Sequence, residues 1–124
     1  MAISKALANS VYDAATAEIA TCTRMDVTSD TTNPANLTNT LAYTAMTAGL
    51  GGGDYTAANG DVSGRKVTMT SKSGVTVNNS GTATCVCLSL AGIPKVITTC
   101  TSQVLTAGNT ITFPAWKVEI NTPT

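Results

Sequence analysis

The side chains that could carry chemistry in this chain are four cysteines and seven carboxylates, and the chain has no histidine. In most serine and cysteine hydrolases the nucleophile is activated by a neighbouring imidazole. Imidazole is also a common zinc ligand and the usual proton shuttle near neutral pH. The composition therefore excludes histidine-dependent hydrolases, histidine-ligated zinc enzymes and imidazole proton shuttles.

The four cysteines are Cys22, Cys85, Cys87 and Cys100. On a strand, the sulfurs of Cys85 and Cys87 point to the same face, and a hairpin closed over residues 92–93 places Cys85 opposite Cys100. This makes Cys85 and Cys100 the candidate disulfide. The alternative is that all four are free thiols, which synthesis in a reducing cytoplasm favours. No two cysteines have C-x-x-C spacing, so we expect no zinc site, no other metal and no organic cofactor.

The seven carboxylates are scattered along the chain. No two have a spacing that one helix face or one strand would convert into an acid–base pair, although Asp54 and Asp61 share a glycine-rich segment. We expect them to be solvated charges on loops and on the surface. The sequence therefore predicts no catalytic residues and a protein that is not an enzyme.

The charge pattern bears on the class of partner. Seven basic residues balance seven acidic ones, and only Arg65 and Lys66 are adjacent. Nucleic-acid binding needs a clustered excess of Lys and Arg, so we expect no direct nucleic-acid contact. The best apolar run, Cys85–Ile93, is too short to span a membrane, and the N-terminus lacks the apolar core of a signal peptide. We therefore expect synthesis and folding in the cytoplasm and no membrane partner.

One helix is predicted, over residues 4–20. Ser4 is placed as its N-cap, with Ile3 and Ala8 as a hydrophobic staple. Its apolar face is predicted to consist of Leu7, Val11, Ala15 and Ile19. This face either covers the sheet of its own chain or docks on a neighbouring subunit.

The remainder of the chain has the period-2 pattern of strands. Residues 21–48 are predicted to hold strands and turns, and residues 49–64 a long glycine-rich surface loop. Residues 65–124 are predicted to form an antiparallel β region, with Lys95–Thr101 and Gln103–Leu105 as separate strands and a turn at Gly92–Pro94. Together these elements predict one mainly β domain over residues 1–124, an antiparallel β-sandwich or jelly-roll-like fold with one N-terminal helix.

Large rings are scarce, because aromatic residues make up 4% of a chain that has 24 threonines and 17 alanines. Small hydrophobes must therefore fill most of the core. Phe113 and Trp116 are the candidate core or interface anchors. Modest burial in a chain of this size also suggests that it stands in an assembly.

Three segments of the second half carry a resemblance to a known family: Val62–Val67, Ser80–Leu88 and Leu105–Ala115. They resemble small tailed-bacteriophage virion proteins, in which an opening helix similar to Ile3–Ala14 precedes a β domain. The resemblance implies a structural role in the head, the neck or a fibre. Cys85 and Cys87 depart from the polar and small residues expected there.

The most specific expectation is a capsid decoration subunit in the virion, assembled in the host cytoplasm. Its partners would be other virion proteins, chiefly the major capsid protein, and further copies of itself in a homo-oligomer such as a trimer. The alternative is a neck, collar or fibre-associated protein that binds the host surface. Glycan binding usually exposes several aromatic platforms, and this chain has few aromatic residues, so we favour decoration.

Overall fold

The computed structural model describes residues 8–30, 37–51 and 53–122. It confirms a mainly β, β-sandwich-like domain with one N-terminal helix and antiparallel sheets. The elements are α1 (Asn9–Ile19), β1 (Arg24–Thr28), β2 (Thr40–Ala45), β3 (Tyr55–Asn59), β4 (Arg65–Met69), β5 (Lys72–Thr76), β6 (Gly81–Leu90), β7 (Ile93–Leu105), β8 (Thr110–Phe113) and β9 (Trp116–Ile120).

The strands form three antiparallel sheets that share one core. Sheet A has the order β2-β1-β6-β7, sheet B the order β3-β4-β9, and sheet C pairs β5 with β8. An isolated bridge between Ala42 and Val77 links β2 to the end of β5. The buried side chains of all three sheets belong to one apolar cluster, in which Met25, Val67 and Phe113 represent sheets A, B and C.

Helix α1 differs from the prediction in its buried face. Ser4, Ile3 and Leu7 lie outside the described residues, and the described helix begins at Asn9 with Ala8 at the N-cap. Tyr12 and Thr16 are buried, whereas Val11 is 50% exposed. The buried face of α1 is centred on Tyr12 because the tyrosine ring offers more apolar area for burial than the side chain of Val11. Thr16 is tolerated there since its hydroxyl donates to Asp13 O at 3.1 Å.

The helix lies against β4 of its own chain. An ion pair between Arg65 Nε of β4 and Asp13 Oδ1 of α1, at 3.2 Å, joins the two elements. Ile19 and Ala20, at the end of the helix, contact the core. The described part of α1 therefore covers its own β structure, which is the first of the two arrangements considered.

The prediction of one long loop over residues 49–64 is wrong, because β3 lies inside it. Tyr55 is fully buried, and its hydroxyl donates to Cys22 O at 2.7 Å. β3 pairs along its whole length with β4, so only the flanking segments are loops. The glycine content around β3 concealed a strand whose formation depends on that one buried ring.

The hairpin between β6 and β7 turns one residue earlier than predicted. Ala91 has φ 52° and Gly92 has φ 79°, the positive pair of a two-residue type I′ turn, and Pro94 lies within β7. The two strands predicted at 95–101 and 103–105 are one strand of 13 residues. Its pairing with β6 shifts register between Ala83 and Cys85 and again between Leu88 and Ser89.

Candidate functional site

The candidate disulfide is not formed, and all four cysteines are free thiols. The shifted hairpin places Cys85 opposite Thr99. Cys85 Sγ lies 3.2 Å from Asp30 O, whereas Cys100 lines a groove together with Val86, the next residue of β6. Because neighbouring strand residues point to opposite faces, the two thiols lie on different sides of sheet A. A turn at 91–92 instead of 92–93 shifts the pairing by two residues, and the register shift between Leu88 and Ser89 reverses one of them, which brings Thr99 opposite Cys85.

Three of the four thiols are poor nucleophiles for a physical reason. Burial raises the pKa of Cys87 to about 12, and Asp26 adds to that shift. Burial also raises the pKa of Cys22 and of Cys100. A thiol whose pKa lies above its ordinary value is almost wholly protonated at neutral pH. These three cysteines therefore act as small apolar side chains.

The basic side chains of the described ranges are neutralised within the chain. Each of the six basic residues in the described ranges forms an ion pair with an acidic residue. The pairs are Arg24–Asp26, Arg65–Asp13, Lys66–Asp61, Lys72–Asp54, Lys95–Glu18 and Lys117–Asp61. Glu119 instead accepts a hydrogen bond from Val62 N at 2.9 Å. The surface that results is rich in hydroxyls and has little free charge.

Asp26 contradicts the expectation that the carboxylates are solvated, because its side chain is fully buried in sheet A. It accepts two hydrogen bonds from Arg24, at 2.8 and 2.6 Å, and one from the Thr40 hydroxyl at 2.7 Å. The Arg24 guanidinium lies 3.8 Å from the centre of the Tyr43 ring. The side chains that bind the carboxylate belong to β1 and β2 of the same sheet, so the cluster stabilises sheet A.

Asp54 is a second buried carboxylate that the sequence does not reveal. It is bound by Lys72 Nζ at 2.7 Å and by Thr47 N at 2.6 Å. Its backbone oxygen also accepts a hydrogen bond from Thr70 N at 2.9 Å. These contacts connect the segment before β3 to the segment before β5.

One concave surface of the domain is an apolar groove of about 310 Å³. Its lining residues are Val86 of β6, Thr98, Thr99 and Cys100 of β7, Phe113 and Pro114 at the end of β8, and Trp116 and Lys117 of β9. A second depression of about 290 Å³ shares Val86, Cys100, Phe113 and Pro114 with it. The two form one continuous surface, which we call the β7–β9 groove.

Two unpaired sheet edges border the β7–β9 groove. β7 is the last strand of sheet A, and β9 is the last strand of sheet B. Neither edge is hydrogen-bonded to a further strand of the described ranges, and Phe113 of β8 contributes to the apolar wall of the groove. A groove with apolar walls and free backbone along its borders can accept an extended chain.

The two candidate anchors both lie in this groove. Phe113 is buried, at 3% exposure, and belongs to the core. Trp116 is only partly buried, and its indole N–H donates to Met25 Sδ at 3.3 Å. Phe113 is therefore a core anchor, whereas Trp116 packs on the core with one side and lines the groove with the other. Both side chains were predicted as anchors from the sequence, which does not reveal the groove because the groove depends on the register of distant strands.

The described residues contain no group of three or more Cys, Asp or Glu side chains that could hold a metal ion. Within the same ranges no helix has the length and apolarity needed to cross a membrane. Comparison with models of protein families, with curated proteins and with solved structures finds no match for the chain.

Proposed function

We propose that this chain is a non-enzymatic virion subunit of a tailed bacteriophage that decorates and stabilises the capsid. One observation carries the structural part of this proposal: each basic residue of the described ranges is neutralised by an acidic residue of the same chain. Those of the pairs that are exposed contribute little stability. They do remove the long-range repulsion that would oppose close packing of identical subunits.

The phage part of the proposal rests on the resemblance of the segments at 62–67, 80–88 and 105–115. Two of these segments have structural roles that suit a packing subunit. Residues 80–88 open β6, the strand that joins β1 to β7, and residues 105–115 supply β8 and Phe113. We propose the major capsid protein as the partner and further copies of the chain as neighbours in a homo-oligomer.

A decoration subunit acts by adding contact area at many equivalent sites. An interface of roughly 1,000 Å² per copy is enough for specific binding, and many such contacts on one lattice act together. Heads that carry the protein should therefore resist heat and osmotic shock better than heads that lack it.

The experiment is deletion of the gene, followed by quantitative mass spectrometry of the purified wild-type particle and heating of both particles. We expect hundreds of copies in the wild type, deleted heads that assemble but release DNA at a lower temperature, and recovery when purified protein is added back. About a dozen copies would instead indicate a neck protein. Deleted particles that are stable but no longer adsorb to the host would contradict decoration and favour host-surface binding.

A further inference from the structure

The free edge of β7 is the longest run of unpaired strand backbone in the described part of the chain. β7 has 13 residues, whereas β2, at the opposite edge of sheet A, has six. Within the described ranges no strand is hydrogen-bonded to β7 on the side away from β6. Such an edge is a template for the backbone of another strand.

Proline and charge, the usual sequence protection of an edge strand, are confined to one end of β7, whose backbone is also irregular at its two register shifts against β6. Pro94 and Lys95 are the second and third residues, and Lys95 is the one charged residue of the strand. The ammonium of Lys95 is paired with Glu18 of α1. The stretch from Val96 to Leu105 has no charged side chain. Its middle part includes the hydroxyl-bearing residues Thr98, Thr99 and Thr101. Nothing along this stretch repels a neutral strand.

The β7–β9 groove runs beside this edge, and Thr98, Thr99 and Cys100 line it. A strand added to β7 extends sheet A across the mouth of the groove. It therefore covers the exposed side of Trp116 while its backbone pairs with β7. Main-chain hydrogen bonds and apolar burial then act together, as they do in other cases of strand addition.

We propose that the occupant of this edge is the β7 strand of a second copy of the chain, paired antiparallel about a twofold axis near Thr99. Thr99 is the midpoint of Ile93–Leu105, so this register overlaps the two strands end to end and sets the irregular residues 100–102 of each copy opposite residues 96–98 of the other. Each copy offers the same surface to the other, which closes the interface at two subunits. Where the sequence suggested a trimer as one possible oligomer, this edge defines a dimer.

The distribution of charge favours the antiparallel arrangement over the parallel one. A parallel pair in register sets Lys95 of one copy beside Lys95 of the other. Like charges directly opposite each other are destabilising. In the antiparallel register the two lysines are eight strand residues apart, or about 27 Å. This distance exceeds the Debye length of about 8 Å at physiological ionic strength. The centre of the interface is a Thr99–Thr99 cross-strand pair, which is a favourable one.

The inference concerns the isolated chain and stands apart from the virion role. It is tested by sedimentation velocity on purified protein over a range of concentrations, with reducing agent present. We expect the wild type to dimerise. Because Thr99 meets its own copy, T99K and T99E should each weaken the dimer by about tenfold or more through like-charge repulsion. An equal mixture of T99K and T99E should recover association as a mixed dimer, because the two new charges then attract.

The matched control is T56K, which adds the same charge to an exposed threonine on β3, at the edge of sheet B. T56K should dimerise like the wild type. The proposal is overturned if the wild type remains monomeric at every concentration. It is equally overturned if T99K dimerises as the wild type does, or if the T99K and T99E mixture does not recover. Since no particle is involved, these outcomes do not depend on whether the protein is found on a capsid.

Discussion

At the scale of single residues, the most informative side chains are the two buried carboxylates. Asp26 is completely buried and Asp54 is 7% exposed, although both were expected in solvent. A sequence signal for Asp26 does exist, because Arg24 and Asp26 are two residues apart on a strand and therefore share a face. No comparable signal exists for Asp54, whose partner Lys72 lies 18 positions further along the chain.

Removal of Arg24 should be more harmful than removal of the whole ion pair. R24M leaves Asp26 buried with only the Thr40 hydroxyl as a side-chain donor, and an uncompensated buried charge costs about 3–5 kcal/mol. The double variant R24M/D26L replaces the pair with apolar groups and should recover part of that loss. Urea denaturation of the wild type, R24M and R24M/D26L measures the difference. Equal stability of the single and double variants would show that the buried carboxylate is not the source of the cost.

The two aromatic anchors should differ in their contribution to stability. F113A removes a buried ring and should cost about 3–5 kcal/mol. W116A removes a partly buried ring that faces the groove, and it should cost less, about 2 kcal/mol. Thermal and urea unfolding of both variants gives the order. If W116A is the more destabilising substitution, the indole is buried more deeply than the structure shows.

At the scale of elements, period-2 alternation predicted most strands of the second half with small errors in their bounds. The errors lie at turns and in the segment around β3. The sequence motif Gly-Ile-Pro suggested a turn at 92–94, but the two residues with positive φ are Ala91 and Gly92. Alternation shows where strands lie, whereas register depends on turn geometry. For this reason the candidate disulfide was misplaced by one residue.

The β6–β7 hairpin therefore contains a residue that is poorly suited to its conformation. Ala91 has φ 52°, and an alanine in this region costs roughly 1 kcal/mol relative to residues that adopt it readily. A91N creates the Asn-Gly pair preferred in type I′ turns and should stabilise the protein by about 0.5–1 kcal/mol. G92A, at φ 79° and with open space around the added methyl group, should destabilise it by a similar amount. Urea denaturation of A91N and G92A measures the difference between their unfolding midpoints. Equal midpoints would argue against this turn type.

At the scale of the whole molecule, what determines the candidate site is the pairing of strands that are far apart in sequence. The pairing of β1 with β6 builds sheet A, which ends at β7, and the pairing of β4 with β9 builds sheet B, which ends at β9. The two borders of the groove therefore belong to different sheets. Local patterns predicted the class of fold and indicated Phe113 and Trp116 as candidate core or interface anchors. They do not contain the order of the strands, because long-range pairing follows from packing of the complete core. The groove and the free edge of β7 were therefore absent from the sequence-based prediction.

Stability of the whole domain should depend on pH through Asp54, which joins two long-range segments. Burial disfavours its charged form, but the hydrogen bonds from Lys72 and Thr47 N outweigh this, and the pKa of the carboxyl is lowered from 3.8. A carboxyl with a lower pKa in the folded state stabilises the fold above its unfolded pKa. That contribution is lost as the pH falls through the folded pKa, because the unfolded chain binds the proton more readily.

We therefore expect the urea midpoint of the wild type to decrease as the pH falls below about 4. D54N keeps an acceptor for Thr47 N but cannot ionise, so it should be less stable than the wild type near neutral pH. The difference between D54N and the wild type should shrink steadily through the acid range. The control is D61N, since Asp61 is 42% exposed and its ion pairs are screened by solvent. A gap between D54N and the wild type that does not change with pH would show that the ionisation of Asp54 is not what connects these segments.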